Sequence, residues 1–534
     1  MENQPNHSFY QPFLYALVLI LGMFFGFKVA SNYFSQSHFL SSQKEKTQLD
    51  YLISLLKDQY VDSLNTETLF ENGVEGIIST LDPHTVYIPP SETDRVNEEL
   101  EGNIFGIGIE FFIYQDTIHV ISILENSPAK KADIDPGDII LKIDDSLVAG
   151  KHIDEERVIQ LIKGKRNTLV HLKIQKPDGK INSLDLERET ITYNSIIASY
   201  ILPHQKDIGY IAIRMFSENT YTEFKQALQR LVDRKISKLI IDVRNNPGGY
   251  MDAVTSILDE MVAGDPILLK TKSKNTTDEV KSDVEGIFET GKVCILINEN
   301  SASASEILAG AIQDLDRGTV IGRRSYGKGL VQEQFTLPNK AAIRITVARY
   351  YLPSGRCIQK DYSKGKSEYQ NEIYERAMQD IAAHKDTTKE TPKTKYYTTK
   401  KRVVYGGEGV QPDILVENDF AVNQTLETIH YNNIVELFAA NYYYLHKNDF
   451  VNYNNEVQFE KDFQPTQSIT NHLLNYLGIH VKSFNNSLFA GIQTKVFTTL
   501  KSEFAKLRFD NNAKYMVLSN EDEMVKKAVE TLSR

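Results

Sequence analysis

A chain of 534 residues is too long for one ordinary core, so several domains are expected. A quarter of the residues are charged and 41% are hydrophobic, which excludes an extended disordered chain. A net charge of −11 without a basic stripe argues against general nucleic-acid binding, and two cysteines, Cys294 and Cys357, make no disulfide framework.

Residues 13–27, FLYALVLILGMFFGF, carry no charge, and the uncharged run reaches back to Ser8. With its flanks it is long enough to span a bilayer. A cleavable signal peptide is the rival reading. No Lys or Arg precedes the run, and the small pair Ala30-Ser31 follows Lys28, so neither signature is complete. We expect an uncleaved transmembrane helix within residues 1–30 that anchors an exported protein. Residues 31–43 are polar and read as a linker. Leu49, Leu52, Ile53 and Leu56 then recur at helical spacing, and a second helix is expected over Glu67–Leu81. Asp82-Pro83-His84 reads as a turn, with a structural histidine.

Phe105-Gly106-Ile107-Gly108 stands at the head of an apolar strand, Ile109–Ile113. A second strand covers Ile118–Leu124, followed by Pro136-Gly137-Asp138-Ile139 and a helix with Val158, Leu161 and Ile162. These segments, in this order, resemble a PDZ domain over residues 99–189. The resemblance implies that an extended peptide pairs with an open sheet edge while amides of the Phe105–Gly108 loop capture its terminal carboxylate.

From Ile191 strands and helices alternate, which predicts an α/β layer. Strands are expected at Ile208–Phe216, Leu239–Val243 and Val293–Ile297, and helices over 219–233 and Ala253–Val262. Leu239–Val243 runs into Arg244-Asn245-Asn246-Pro247-Gly248-Gly249, a tight turn or an amide nest facing an anion. Ser303 opens a helical run with Ile307, Leu308, Ala311, Ile312 and Leu315, closed by Gly318. Gly327-Lys328-Gly329 precedes an alternating strand; if residues 328–334 are extended, Lys328, Leu330, Gln332 and Gln334 share a face. The pattern therefore offers a serine at a helix N-terminus beside a lysine and a glutamine. A serine hydroxyl needs a base to become a nucleophile, and lysine serves only if burial depresses its pKa. Ser–Lys is a known variant of serine catalysis, and helix N-terminal amides suit an oxyanion. The structural alternatives are a Ser303-x-x-Glu306 capping box and a plain Gly-Lys-Gly turn. Charge-rich residues 360–400 read as a mobile insertion. Residues 421–534 hold apolar helical spacing at Ile434, Leu437 and Phe438 and again over 494–507, with Tyr442–Tyr444 as core residues. An oligomerisation or adaptor role is open for this extension.

SASASEILAGAIQD followed by SYGKGLVQ resembles the carboxyl-terminal processing peptidases, also called tail-specific proteases. The stretch from Leu81 to Tyr87, the run Tyr351-Leu352-Pro353-Ser354-Gly355-Arg356 and the closing segment Val404–Asp413 resemble further motifs of that family. The resemblance implies that Ser303, rather than Ser301 or Ser305, is the nucleophile, that Lys328 is the base and that Gln332 supports it. It implies oxyanion amides from Ala304 and from Gly248 or Gly249, and it gives His84 no role as base. The fold it implies is an α+β multidomain protein: a crotonase-like α/β protease core (190–420) with an inserted PDZ domain, an N-terminal helical part of the core (44–98), an N-terminal transmembrane helix and a helical C-terminal extension. Lys163 stands where relatives often carry arginine, a departure that touches any link between tail binding and activation. No Cys-x-x-Cys, His-rich or Walker-type pattern calls for a metal, cofactor or nucleotide. The expected protein is an exported, membrane-anchored serine endopeptidase of the periplasm or cell envelope that holds substrate proteins by their C-termini. The rival is a noncatalytic exported PDZ scaffold.

Overall fold

The structure is a computed structural model that describes residues 48–534, apart from 125, 284, 383–393, 418–425, 427–428, 431, 482–483 and 485. The expected span within residues 1–30 lies outside the described residues. Among the described residues no helix is long and apolar enough to cross a membrane.

The chain divides after Thr80 into two compact units. The described part of the first consists of helix α1 (48–59) and α2 (Thr66–Ile78). The Asn65 side chain caps α2 by accepting from the Glu67 and Thr68 amides, the usual device for the orphan donors of a first turn.

The second unit opens with β1 (Val86–Ile88) and α3 (Pro90–Glu101). Next come β2 (Asn103–Gly106), β3 (Ile109–Tyr114), β4 (Thr117–Ile123), α4 (Pro128–Lys131), β5 (Ile139–Ile143), β6 (Ser146–Leu147), α5 (Glu155–Ile162), β7 (Leu169–Gln175), β8 (Ile181–Glu187) and β9 (Glu189–Thr192). Strands β3-β4-β5-β7-β8 form an antiparallel sheet in that order, with β6 on β5, and β3 lies at its edge. Ile107, Ile118, Val120, Ile140, Val158, Val170 and Leu172 fill the core beneath it. Strand β2 pairs with β9 rather than joining this sheet, so Phe105 sits opposite Thr190 and only Ile107-Gly108 forms the connecting loop.

The following segment contains β10 (Ile196–Ile201), β11 (Ile208–Ile213), α6 (Thr220–Asp233), β12 (Lys238–Asp242), α7 (Met251–Asp259), β13 (Ile267–Ser273), β14 (Thr277–Lys281), β15 (Lys292–Ile297), α8 (Ala304–Asp314), β16 (Thr319–Gly322), β17 (Leu330–Thr336), β18 (Ala342–Tyr351), α9 (Lys366–Ala382), β19 (Lys395–Tyr397), β20 (Val403–Tyr405) and β21 (Ile414–Leu415). The central sheet runs β10-β11-β12-β15-β16-β21, parallel except for β10 against β11. Parallel strands buried on both faces read as continuous apolar runs, as Lys238–Asp242 and Lys292–Ile297 do after their lysines. A second sheet, β1-β18-β13-β14 with β17 on β18, is antiparallel throughout. Residues 366–382 are a helix, so the mobile insertion expected over 360–400 is not what this part forms. Helix α8 ends at Asp314, and Gly318 instead enters β16, where a side chain would strike the Val293 carbonyl.

The extension is helical: α10 (Ile434–Leu445), α11 (Glu456–Asp462), α12 (Gln467–His480), α13 (Asn486–Arg508), α14 (Asn511–Ser519) and α15 (Glu523–Ser533). Its first helices share an aromatic core in which Tyr442, Phe450, Phe459, Phe463 and Phe504 pack together. Its last two cover the central sheet. Helices α6, α7 and α8 bury one face of the central sheet. Met516, Met524, Val525, Ala528 and Leu532 bury the other, over Tyr210, Ile240, Cys294, Leu296 and Ile321. Each such side chain contributes about 2 kcal/mol by leaving water, so the extension is a third layer of the sandwich rather than an appendage. It also touches the sheet carrying β3: Tyr114 Oη lies 2.9 Å from His480 Nδ1, and Lys506 pairs with Glu110 at 3.7 Å.

Candidate active site

Strands β12 and β15 are parallel neighbours, so the turns leaving their C-terminal ends emerge side by side. The Ala302 amide donates to the Asn246 carbonyl at 3.0 Å, and Asn298 Oδ1 accepts the Asn245 amide at 2.9 Å. Two of the three serines in the SASAS run serve this junction. Ser301 donates to the Val243 carbonyl at 2.7 Å and Ser305 to the Asn246 carbonyl at 3.0 Å, and both are fully buried. Ser303 is the partly exposed one. Its backbone has φ 53° and ψ −113°, outside the regions a non-glycine residue ordinarily occupies. Such strain is held only where the surroundings over-determine it, and it concentrates at functional positions.

Half of the predicted capping box is a hydrogen bond. The Glu306 carboxylate accepts from the Ser303 amide at 2.9 Å, whereas the Ser303 hydroxyl faces the Glu306 amide without making a cap hydrogen bond. Glu306 does more than cap. It also accepts from the Lys328 amide at 2.8 Å, the Gly327 amide at 2.7 Å and the Ser325 hydroxyl at 2.5 Å. Fully buried, it joins the backbone at Ser303 to the loop that carries Lys328. The S-x-x-E spacing pointed to this residue, but nothing local signalled its second set of partners. Tyr350 adds another bridge, donating towards the Lys328 carbonyl at 2.7 Å and the Ser303 carbonyl at 3.2 Å.

Strand β17 starts at Leu330, not at Lys328, and its register shifts between Val331 and Gln332, so the expected single face over 328–334 is broken. The bulge still leaves Gln332 within reach: Lys328 Nζ donates to Gln332 Oε1 at 2.8 Å. Gln332 Nε2 in turn donates to the His84 carbonyl. Gln334 Nε2 turns instead to Asn97 Oδ1 on α3, at 2.8 Å. Burial, with the nearby Arg344 cation, lowers the Lys328 amine to about 8 against the attraction of Glu306 and Asp82. A sizeable neutral fraction therefore exists near pH 8. Lys328 Nζ makes no hydrogen bond to Ser303 among the described residues. Burial and the Lys328 charge push His84 down to about 4, and its ring bonds Tyr369 rather than Ser303.

Gly248 lies directly against the nucleophile candidate. A Cβ on it would sit 2.7 Å from Ser303 Cβ and 3.0 Å from the Ala304 nitrogen, and its φ of 103° suits glycine. Its amide donates to Asn246 Oδ1 at 2.9 Å. Gly249, with φ 141°, lies so close to Phe216 that a Cβ would fall 2.0 Å from the Phe216 carbonyl. Among the described residues neither the Gly249 nor the Ala304 amide makes a hydrogen bond, so both can receive an anion. Among the described residues no three His, Cys, Asp or Glu side chains converge to hold a metal ion.

In the PDZ-like sheet Ile107 is buried, and its carbonyl accepts the Ala129 amide at 2.9 Å. Ile109, Phe111 and Ile113 of β3 and Leu161 of α5 lie partly buried against the same core. Lys163, which ends α5, pairs with Glu98 on α3.

Residues 207–365 match the sequence model of Peptidase family S41, and residues 119–176 match that of the PDZ domain. The chain is 33% identical over 323 residues to the carboxy-terminal processing protease CtpB of Bacillus subtilis (strain 168), covering 60% of this chain and 67% of that one. It is 31% identical over 327 residues to a carboxy-terminal-processing protease of Bartonella bacilliformis, covering 60% of this chain and 74% of the relative. A solved photosystem II D1 C-terminal processing protease aligns at 23% identity over 70% of this chain and 87% of that chain, with a TM-score of 0.37, too low to add to the comparison.

Proposed function

The chain belongs to the carboxy-terminal processing proteases of peptidase family S41, and from that premise we propose that Ser303 is its nucleophile and Lys328 its general base. It is a serine endopeptidase with a PDZ domain. Ser303 Oγ attacks the scissile carbonyl carbon and passes its proton to neutral Lys328 Nζ. The amides of Ala304 and Gly249 receive the oxyanion, with Gly248 shaping the approach. Collapse of the tetrahedral adduct breaks the C–N bond, and Lys328 returns the proton to the leaving amine. Water, deprotonated by the same amine, then releases the acyl group. Gln332 holds Nζ between turnovers, and Nζ turns from Gln332 to Ser303 Oγ for the proton transfer.

The observation that carries this reading is the buried, pKa-depressed Lys328 joined through Glu306 to a strained, partly exposed Ser303. The test is cleavage of an unfolded reporter with an apolar C-terminus by wild type, Ser303→Ala and Lys328→Ala. The dyad requires both variants to be inactive; full activity in Lys328→Ala removes it.

Substrate tails are held, on this reading, by strand addition to the open β3 edge, with the Ile107-Gly108 loop that follows Phe105 and Gly106 of β2 on the terminal carboxylate. The apolar side chains of β3 and α5 favour apolar tails. The parallel sheet layered by helices supports a crotonase-like core. The uncharged stretch 13–27 supports export and anchoring of the bulk in the periplasm or cell envelope, which membrane fractionation of the full chain tests. The extension remains open to an adaptor or second copy on its outer face, while its inner faces brace the catalytic sheet.

A further inference from the structure

The hydrogen bonds around Lys328 close on themselves. Lys328 Nζ donates to Gln332 Oε1 at 2.8 Å, and Gln332 Nε2 donates to the His84 carbonyl. The His84 ring Nε2 lies 2.8 Å from Tyr369 Oη. Gln359 Nε2 donates to that same phenol oxygen at 3.2 Å, and Gln359 Oε1 accepts the Gly329 amide at 2.8 Å. Gly329 is the neighbour of Lys328 in the chain, so the circuit returns to its start.

The proton inventory is consistent around the ring. Burial keeps His84 neutral, so its Nε2 can accept, and burial pushes the Tyr369 phenol up, so its O–H is present to donate. Tyr369 then donates to His84 and accepts from Gln359, with the Tyr326 phenol as a further hydrogen-bond neighbour. Tyr369 is 3% exposed, with its ring edge-on to His84 and the Lys360 ammonium 4.2 Å from its centre. It comes from α9, which begins at Lys366, just past the residues matching the family. The charged and titratable groups around the circuit are Asp82, Glu306 and Arg344 near Lys328, and Lys360, Glu372 and Tyr326 near Tyr369.

We propose that Tyr369 is a positioning residue for the catalytic base: it closes a ring of hydrogen bonds that fixes Gln332 and Gly329 and keeps Lys328 dry. This rests on Lys328 being the base. Opening the ring lets water reach the amine, which raises its pKa and lowers the neutral fraction at neutral pH.

The test compares wild type, Tyr369→Phe, Gln359→Met, the double variant, Tyr362→Phe and Lys328→Ala for kcat and KM on an unfolded reporter, from about pH 6 to about pH 10. Tyr369→Phe is expected to lower kcat at neutral pH about tenfold with KM unchanged, and to move the rising limb of the profile to higher pH. Gln359→Met shifts the limb the same way, and the double variant is no worse than either single one, because both open one ring. Tyr362→Phe, which alters the neighbouring tyrosine that bonds Arg349, matches wild type. An inactive Lys328→Ala alongside a Tyr369→Phe whose kcat and limb equal wild type overturns the positioning role and leaves the dyad standing. An active Lys328→Ala overturns the dyad, and the positioning role with it.

Discussion

Glu306 Oε2 lies 2.9 Å from the backbone nitrogen of Ser303, and the same oxygen accepts the Lys328 amide. One buried carboxylate thus ties the backbone of the proposed nucleophile to that of the proposed base. Glu306→Gln replaces one acceptor oxygen with an NH2 group that faces donors. We expect turnover to fall about 100-fold and stability to fall by about 2 kcal/mol, with KM little changed. Steady-state kinetics and urea denaturation of the variant check this.

Lys328 is a stability cost that its proposed role as base requires. Its folded pKa of about 8 lies below the ordinary lysine value, so the unfolded state holds more protons between about 8 and about 10.4. Stability therefore rises with pH through that window, and the full cost applies below it. Lys328→Met should stabilise the protein at pH 7 by about 2 kcal/mol, after about 1 kcal/mol for the lost bond to Gln332. Denaturation at successive pH values should show the gain shrinking above about pH 8. A gain that grows with pH would contradict the assignment.

Gly248→Ala puts a methyl group against Ser303 and Ala304. Its expected signature is loss of turnover by about 100-fold with a lowered melting temperature, because φ is 103° and the methyl would also sit 2.8 Å from the Ala302 carbonyl. Gly249→Ala meets the Phe216 carbonyl instead, so its larger effect should be on the melting temperature. Thermal denaturation and kinetics of the two variants separate these outcomes.

The extension reaches the base of the turn that carries Gly248 and Gly249. Arg244 pairs with Asp242 at 2.5 Å and with Asp522 at 2.7 Å, and Asp522 also caps α15. Asn caps helices as well as Asp, so Asp522→Asn removes the charge and keeps the cap. We expect kcat to fall several-fold at a nearly unchanged melting temperature, by about 1 kcal/mol of lost positioning. Deleting residues 511–534 exposes Tyr210, Ile240, Leu296 and Ile321, and should yield aggregated protein by light scattering.

Local pattern placed Ser303 at a helix start, as the structure does, because helix spacing, the capping glutamate and a preceding apolar strand are all near it in sequence; its proposed role came from the family resemblance. It did not separate Ser303 from Ser301 and Ser305, since their hydroxyls are occupied by carbonyls of the neighbouring turn, Val243 and Asn246. Nor did it foresee the bulge at Gln332, which depends on pairing with β18. Tyr369 and His84 are 285 residues apart, and no period or turn signature reports a contact made only when β1 and α9 meet over the same loop. The extension showed helices, but their service as the second face of the central sheet depends on which strands lie in its centre.

The most direct measurement is the rate at which Ser303 is acylated by a serine-directed reagent, followed against pH in wild type and in Lys328→Ala. A lysine base predicts a rate that climbs through a midpoint near the Lys328 value of about 8 and is lost in the variant. A wild-type rate that is flat across that range, or a Lys328→Ala variant labelled as fast as wild type, would contradict it.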